Sequence, residues 1–383
     1  MAKKILISGG LYWNSPFKVG SYHIAKGFAD LGWEVGFLSN PISPFHIING
    51  INQELTERWN SYIHGGTVEY NGKIWCYIPG SLLTPNNKPI LKSLWLQKNW
   101  NKLSFPSVLK KIKTKGFDEV DLLYIGSPND YYLLNTIHYK KSIFRIADMT
   151  SGFSNSTDAS KMIETEIAQR VDVVLYTAQN LAEHVKSLSP KKAVYFPNGV
   201  NYSHFEQGSN QIPEEFNNIP HPIALYVGAL SEWFDFELVN KAAQKLPEVS
   251  FVFIGPDALA KIKLARLPNI YILGPRDYND LTKYMYNSDV GIIPFDLKNH
   301  SHLVNSINPL KMYEYMACGL PVLAVEWQEL IMIDSPVFLY KDEDEFIVKL
   351  KQLCSGDTQN KEHLQSFAKN QDWIKKIEFL SEI

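Results

Sequence analysis

Short apolar runs alternate with stretches of helical periodicity in the first half of the chain. The stretch from Ser21 to Leu31 has helical spacing, and apolar runs lie on both sides of it. A strand, a helix and a second strand in this order form a βαβ unit with parallel strands. The runs that we predict as buried strands lie at residues 4–8, 34–39, 121–126, 142–147 and 171–176.

The second half of the chain repeats this alternation. Its predicted strands lie at residues 223–227, 250–256, 269–274 and 289–295, and a short apolar strand follows Pro321. Prolines and polar residues between Gly208 and Pro222 are typical of a linker. We therefore predict an α/β protein with two doubly wound, Rossmann-like domains at 1–205 and 223–360, a linker at 206–222, and amphipathic helices at 361–383.

Length and composition agree with two soluble domains. The chain has 383 residues, 45% of them hydrophobic, and a formal net charge of -2, which gives no reason to expect nucleic acid. The three cysteines are far apart, which favours a reducing compartment without a metal cage. The N-terminus lacks the pattern of a signal peptide, and no apolar run is long enough to span a bilayer. We expect a cytoplasmic protein.

The segment 81–116 differs in charge from the rest of the chain. It contains eight lysines and no acidic residue, and Trp95 and Trp100 lie among the lysines. Basic residues beside indole rings suit the headgroups of anionic lipids, so we predict peripheral contact with the inner face of the plasma membrane. The alternatives are a solvated helix whose tryptophans pack inward and, less in keeping with the net charge, a nucleic-acid patch.

The stretch NPLKMYEYMACGLPVLA, residues 308–324, carries the clearest chemistry. Asn308 can cap a helix that begins at Pro309, and Gly319 can end it before a strand. The open N-terminus of such a helix attracts anions. Lys311 suits phosphate and Glu314 suits a pair of sugar hydroxyls, and the two can face the same side; an ordinary surface ion pair is the alternative.

The string PLKMYEYMACGLPV resembles the donor-nucleotide motif of GT-B glycosyltransferases, in particular the teichuronic acid and xanthan glucuronosyltransferase-like group that builds bacterial surface polysaccharides. FPNGVNYSHF, residues 196–205, resembles the signature that precedes the interdomain linker in many GT-B enzymes. The resemblance implies that the two domains face each other across a cleft and that 361–383 crosses back to the first domain. It also implies that Lys311 binds the donor diphosphate, that Glu314 binds the ribose, and that the loop at Gly228 lies beneath the phosphates.

A carboxylate follows the predicted strand 142–147 directly. Chemistry in open α/β sheets gathers at the carboxyl ends of strands, where Asp148 falls. Asp148 also resembles the catalytic aspartate of the xanthan glucuronosyltransferase group, which implies a general base; the alternative is a helix cap for the next segment. His23 is a second candidate base unless it is a capping or packing histidine, and Glu164 is a candidate for the acceptor site unless it is an exposed helix residue.

Two departures from the family pattern bear on the mechanism. Retaining GT-B enzymes of the commonest kind place a glutamate eight residues before the position of Glu314, and this chain has Ser306 there. We therefore expect inversion with an enzymic base, and Asn305 and Ser306 become candidate contacts for the donor sugar. The arginine and lysine expected in the loop after Gly228 are missing, so Lys311 would carry more of the phosphate charge. His300 and His302 lack the further ligands of a metal site, and no metal is expected.

These residues predict a glycosyltransferase without a cofactor. It would move a sugar from a nucleotide donor, most simply a UDP-sugar, to a hydroxyl of a lipid-linked or surface glycan. Two alternatives stay open at this point: a nucleotide-sugar epimerase or hydrolase on the same fold, and a non-catalytic partner that binds nucleotide sugar or glycan.

Overall fold

The computed structural model describes residues 2–50, 53–149, 152, 156–208, 211–356 and 360–383. Two compact units make up the chain. The first contains Met1–Pro197 together with Phe379–Ile383, and the second contains Asn198–Glu378.

The first unit is built on an eight-stranded sheet with the order β3-β4-β2-β1-β5-β6-β7-β8. All neighbouring strands are parallel except β3, which runs antiparallel to β4. The order reverses between β1 and β5, so the loops after these two strands diverge at this point of the sheet. The strands are β1 (Lys4–Gly10), β2 (Glu34–Ser39), β3 (Thr67–Glu69), β4 (Ile74–Tyr77), β5 (Glu119–Ile125), β6 (His138–Ile146), β7 (Val173–Tyr176) and β8 (Ala193–Tyr195).

Helices cover this sheet through apolar faces. The helix Gly20–Asp30 buries Ile24, Ala25 and Phe28 completely, as its helical spacing predicts. The helix Asp158–Arg170 begins at a capping box, in which the Thr157 hydroxyl accepts from the amide of Ser160 at 3.0 Å. The helices are α1 (Gly20–Asp30), α2 (Gln53–Ile63), α3 (Leu94–Asn99), α4 (Val108–Thr114), α5 (Leu133–Thr136), α6 (Asp158–Arg170) and α7 (Ala182–Ser187).

The second unit is built on a six-stranded parallel sheet with the order β11-β10-β9-β12-β13-β14. Its order reverses between β9 and β12. The central strands are fully buried apolar runs, as expected for a parallel sheet covered on both faces. The strands are β9 (Ile223–Val227), β10 (Ser250–Ile254), β11 (Ile270–Gly274), β12 (Val290–Ile293), β13 (Val322–Val325) and β14 (Phe338–Tyr340).

The helices of the second unit include several short ones. The predicted linker 206–222 contains a 3-10 turn, Glu214–Asn218, and Glu215 in this turn accepts from Arg276 at 2.7 Å. The helices are α8 (Tyr202–Glu206), α9 (Phe236–Lys245), α10 (Ala260–Lys263), α11 (Leu281–Tyr286), α12 (Ser301–Val304), α13 (Leu310–Ala317), α14 (Gln328–Ile333), α15 (Glu343–Cys354), α16 (Lys361–Asn370) and α17 (Trp373–Glu382), whose last residues belong to the first unit.

The two sheets confirm the predicted fold class of two Rossmann-like α/β units. The predicted strands all exist, and their bounds differ by only a few residues. The sequence prediction missed β14, a three-residue strand at the edge of the second sheet, and the short strands β3, β4 and β8 of the first.

Candidate functional site

The helix of the predicted donor motif, α13, lies between β12 and β13 in the chain. It begins at Leu310, and Pro309 occupies the N-cap position without a side-chain hydrogen bond to the helix. The prediction that Asn308 caps a helix starting at Pro309 was therefore wrong, because the Asn308 side chain has other partners. The N-terminal amides of α13 are left without a side-chain cap, which suits an anionic ligand.

Asn308 instead belongs to a buried polar network. Its Oδ1 accepts from the Asn198 amide at 3.2 Å and from the Tyr313 hydroxyl at 3.2 Å, and its Nδ2 donates to Glu329 at 3.3 Å. The Asn198 side chain donates to the Asn308 carbonyl at 2.7 Å. The asparagine of the PNGV motif thus fixes the peptide that leads into α13.

Lys311, in the first turn of α13, directs its ammonium towards the end of β9. The Nζ atom lies 3.2 Å from the Tyr226 hydroxyl, 4.6 Å from the centre of the Tyr226 ring and 4.9 Å from that of Phe295. Among the residues that the structure describes, it forms no ion pair. Burial lowers the pKa of Lys311 to about 8, and Glu314 opposes this shift only in part.

Glu314 lies one helical turn further along α13 and is half-buried. Burial raises the pKa of its carboxyl to about 7, although the positive charge of Lys311 favours the ionised form. Lys311 and Glu314 do not form the surface ion pair that was the alternative to a ligand site. A cation and a carboxylate are therefore both held at the start of one helix without neutralising each other.

The end of β9 approaches Lys311 closely at Gly228. This residue has φ +147°, and a Cβ atom here would lie 3.0 Å from both Cε and Nζ of Lys311. The end of β10 in turn approaches the end of β9, because a Cβ atom at Gly255 would lie only 1.9 Å from the carbonyl oxygen of Gly228. Both positions require glycine, and Gly228 leaves the end of β9 free of a side chain next to the ammonium.

The predicted sugar contacts differ in accessibility. Asn305 is partly exposed, and its Oδ1 accepts from the Gln328 amide at 3.1 Å. Ser306 is completely buried and its hydroxyl donates to the carbonyl of Leu303 at 2.8 Å, so it faces the protein interior and not a ligand. No cluster of three or more metal-ligating side chains, including His300 and His302, occurs in the described parts of the chain.

In the first unit, Asp148 lies two residues beyond the end of β6 and is half-buried. Burial raises the pKa of its carboxyl to about 6, and the guanidinium of Arg145 opposes the shift. Helix α6 is capped by Thr157, so Asp148 does not cap it. The segment that directly follows Asp148 lies partly outside the described residues.

Arg145 was not predicted as a site residue. Its side chain is 8% exposed and lies against the first turn of α1, where a Cβ atom at Gly20 would come within 2.7 Å of Nη2. The alternation of β6 could have signalled it, since a charged residue in the run SIFRI interrupts an otherwise apolar strand.

Two other predicted residues are buried in the first unit. His23 is 4% exposed and its Nε2 lies 3.1 Å from the carbonyl of Lys18, which corresponds to a packing histidine. Glu164 is 3% exposed and lies 3.3 Å from Nε2 of His184, so it is not an exposed helix residue. Both side chains are held by their own unit.

Asp130 is a buried carboxyl that the sequence analysis missed. It follows β5 at the point where the strand order reverses, is 5% exposed, and accepts a short hydrogen bond from the Ser8 hydroxyl at the end of β1. Burial raises the pKa of Asp130 to about 7. The neighbouring sequence, GSPND, is typical of an ordinary turn and gives little sign that Asp130 is buried.

The basic segment 81–116 is partly folded into the first unit. Trp100 is fully buried and Lys98 pairs with Glu166 at 2.6 Å, whereas Trp95 is 57% exposed. Three more large apolar side chains of the segment lie at the surface, namely Leu82, Ile90 and Phe105. No helix in the described parts of the chain combines the length and the apolar character that crossing a membrane requires.

Comparisons with known protein families assign each half of the chain. Residues 6–177 match the family described as glucuronosyltransferase GumK, N-terminal domain. Residues 221–356 match glycosyl transferases group 1. Asp148 lies within the first match, and Gly228, Lys311 and Glu314 lie within the second.

A curated relative gives a more specific likeness. The chain is 29% identical over 227 residues to a Bacillus subtilis (strain 168) protein named as TuaH, a glycosyltransferase of teichuronic acid biosynthesis. This match spans 56% of the present chain and 56% of the relative, so it covers only about half the length of that protein.

Solved structures of low sequence identity share the architecture. Sucrose-phosphate synthase from Thermosynechococcus elongatus has a TM-score of 0.69 at 16% identity, over 100% of this chain and 98% of its own. Anabaena HepE in complex with UDP and glucose has a TM-score of 0.66 at 15% identity, over 99% of this chain and 98% of its own. The fold, the donor motif and the two family matches together confirm the predicted resemblance of this chain to the GT-B glycosyltransferases.

Proposed function

We propose that this protein transfers a sugar from a UDP-sugar to a hydroxyl of a lipid-linked or surface glycan. The observation that carries the proposal is the start of α13. There, the Lys311 ammonium and the Glu314 carboxyl lie one turn apart, beside uncapped helix amides and the bare strand end at Gly228. A diphosphate and a ribose diol present the complementary charges and hydrogen-bonding groups.

In the proposed reaction, Asp148 accepts the proton of the acceptor hydroxyl. The oxygen of this hydroxyl bonds to the anomeric carbon of the donor sugar at the same time. The bond from this carbon to the β-phosphate oxygen breaks, and the electron pair leaves with UDP. Lys311 and the amides of α13 stabilise the departing charge. A pKa of about 6 keeps most Asp148 carboxylates ionised at neutral pH while leaving them basic enough to accept a proton.

We propose inversion at the anomeric carbon without a metal ion. Inversion follows from a single displacement with an enzymic base, and Ser306 stands where retaining enzymes of the commonest kind have a glutamate. Lys311 and the helix amides supply the positive charge that a metal would otherwise bring.

We also propose that segment 81–116 contacts an anionic membrane at the cytoplasmic face. The exposed side chains of Leu82, Ile90, Trp95 and Phe105 stand among its lysines, which combines apolar anchors with positive charge. Such contact would bring the enzyme to a lipid-linked acceptor. Flotation with vesicles containing anionic lipid tests this. Binding that falls with salt and with Trp95→Ala supports it, and no binding at low salt contradicts it.

Calorimetric titration with UDP, GDP and TDP, with and without Mg²⁺, tests the donor half of the proposal. We expect UDP to bind without Mg²⁺, and Lys311→Ala to weaken binding about 100-fold because a charge-assisted contact to phosphate is lost. The matched control is Lys283→Ala, which removes a lysine of the same unit that pairs with Asp280. If no nucleotide binds to the wild type, the assignment of the donor site and the catalytic proposal fall together.

A further inference from the structure

Tyr226, near the end of β9, is in direct polar contact with the Lys311 ammonium at 3.2 Å. We propose that Tyr226 is a positioning residue of the donor site, which holds this ammonium over Gly228 and apart from Glu314. The inference rests on the proposed function, since it assigns a task to a side chain behind the donor phosphates.

The hydrogen-bond directions around Tyr226 support this task. Its hydroxyl donates to the carbonyl of Ala229 at 2.9 Å, so the oxygen has its lone pairs available to accept from Lys311 at 3.2 Å. Tyr226 itself is completely buried, and its ring packs edge-on against Phe234 at 4.8 Å. A fixed ring gives a fixed hydroxyl, and the ammonium is therefore drawn to one place.

The aromatic faces make this place tolerable for a charge. The ammonium lies 4.6 Å from the ring centre of Tyr226 and 4.9 Å from that of Phe295, which are distances of cation–π contacts. These contacts replace part of the lost hydration without using an anion. Lys311 thus keeps its positive charge available to a ligand.

The spacing of Lys311 and Glu314 on the helix shows why the contact between Tyr226 and the ammonium matters. Residues three apart on a helix are neighbours, and a free lysine and glutamate at this spacing tend to pair. Such a pair would neutralise both groups that the donor needs. The Tyr226 contact directs Lys311 to the strand side of the helix start, and Glu314 is left to a ligand.

The composition of the adjoining loop increases the importance of this one cation. Residues 228–235, GALSEWFD, contain no lysine or arginine. If the Lys311 ammonium were displaced, no other basic side chain of this loop could therefore replace its charge.

A double-mutant cycle on UDP affinity tests the proposal. Tyr226→Phe keeps the ring and removes the hydroxyl, and we expect it to weaken UDP binding about tenfold. In the Lys311→Ala background the same substitution should change the affinity by less than about twofold, because the group that it positions is gone. The matched control, Tyr284→Phe, removes a hydroxyl bonded to Glu215 and Arg276 and should leave UDP affinity unchanged.

The outcomes separate this inference from the proposed function. Wild-type protein that does not bind UDP overturns both. A second outcome overturns only the role of Tyr226. In it, the wild type binds UDP and Lys311→Ala weakens binding strongly, but Tyr226→Phe has the same effect in both backgrounds or no effect in either. If Tyr226→Phe does not fold, Tyr226→Met, which removes the same hydroxyl, takes its place in the cycle, and its effect should likewise vanish in the Lys311→Ala background.

The pH dependence of UDP binding supplies a second readout that a merely structural tyrosine would not move. The titratable groups that face Lys311 are Tyr226 from β9 and Glu314 from α13, while Phe295 carries no charge. UDP affinity should fall as the pH rises through the Lys311 midpoint. Tyr226→Phe removes a hydrogen bond to the charged form, so this midpoint should move to lower pH; an unchanged midpoint contradicts the proposal.

Discussion

The charged groups of the two units are arranged in opposite ways. In the second unit, Lys311 and Glu314 share one helix but are kept apart, and the cation is held by uncharged aromatic groups. In the first unit, Arg145 lies near the end of β6 and Asp148 lies two residues beyond this strand. The arginine favours the ionised form of the Asp148 carboxyl. Burial lowers the pKa of Lys311 to about 8 and raises that of Asp148 to about 6.

This difference indicates two separate tasks. Separated charges beside uncapped helix amides suit the tight holding of a ligand that carries fixed negative charge. A carboxylate with a raised pKa beside an arginine suits a proton acceptor near neutral pH. Substitutions in the second unit should therefore change nucleotide binding, and substitutions in the first should change turnover.

The largest expected effect comes from the first unit. Asp148→Asn removes the proton acceptor but keeps the shape of the side chain, so we expect turnover to fall by about 10³-fold while UDP affinity stays within about twofold. Steady-state kinetics and calorimetry on the same preparation measure the two quantities. Asp158→Asn, at the exposed start of α6, is the matched control.

The same variant decides between the classes of function that the sequence left open. Full turnover of Asp148→Asn would mean that another base acts, whereas UDP binding without any turnover by the wild type would mean that the protein is a binding partner. Hydrolysis of a UDP-sugar without an acceptor, at the rate of transfer, would favour a hydrolase.

The next effect should come from the glycine at the end of β9. Gly228→Ala places a Cβ atom 3.0 Å from the Lys311 ammonium at a φ of +147°, so we expect UDP affinity to fall about tenfold with turnover at saturation less affected. Gly72→Ala is the matched control, since Gly72 also has a positive φ, +84°, but its Cβ position has no neighbour within 4 Å among the described residues. Equal loss of UDP binding in both variants would point to general destabilisation.

A smaller effect is expected from pH. Asp148 must be ionised to accept a proton, so kcat/KM should rise with pH through about 6; Lys311 must be protonated to bind the diphosphate, so it should fall again through about 8. Lys311→Arg should retain the acidic limb and remove the alkaline one, because arginine stays charged. A pH profile of kcat/KM that is flat between 5 and 9 would contradict both assignments.

The smallest effect should come from a carboxyl that is buried beside a histidine. Glu164 is buried beside His184, so Glu164→Gln should lower the free energy of unfolding by about 1 kcal/mol and leave kcat and KM nearly unchanged. Urea unfolding followed by fluorescence, together with kinetics, measures this. A large rise in the acceptor KM would restore Glu164 to the acceptor site.

The fold could be predicted because its signals are local. Apolar runs of four to seven residues, each ended by glycine, proline or a polar residue, mark the strands of both sheets, and β9 at Ile223–Val227 was predicted to the residue. The short strands β3 and β14 escaped, since three residues at a sheet edge carry too little periodicity.

The candidate donor site could be predicted only in part. Lys311 and Glu314 stand in one motif, and their spacing on a helix is fixed by the sequence. The role of Asn308 was misread because its side chain is hydrogen-bonded to Asn198 and Glu329 and therefore does not cap α13. These partners are 110 and 21 residues away in the sequence. Tyr226 escaped for the same reason, as its contact with Lys311 joins residues 85 positions apart.

The contact between the two strand ends at Gly228 and Gly255 also sets rules for engineering this protein. A library that randomises Gly255 would place side chains in the space of the Gly228 carbonyl, and one that randomises Gly228 would place them against Lys311 at a strained φ of +147°. Diversity aimed at a different donor sugar belongs at residues 298–302 and 305, which are exposed or partly exposed, and not at the buried Leu303 and Val304 between them. Altered donor choice and retained nucleotide affinity are then separable goals of one selection.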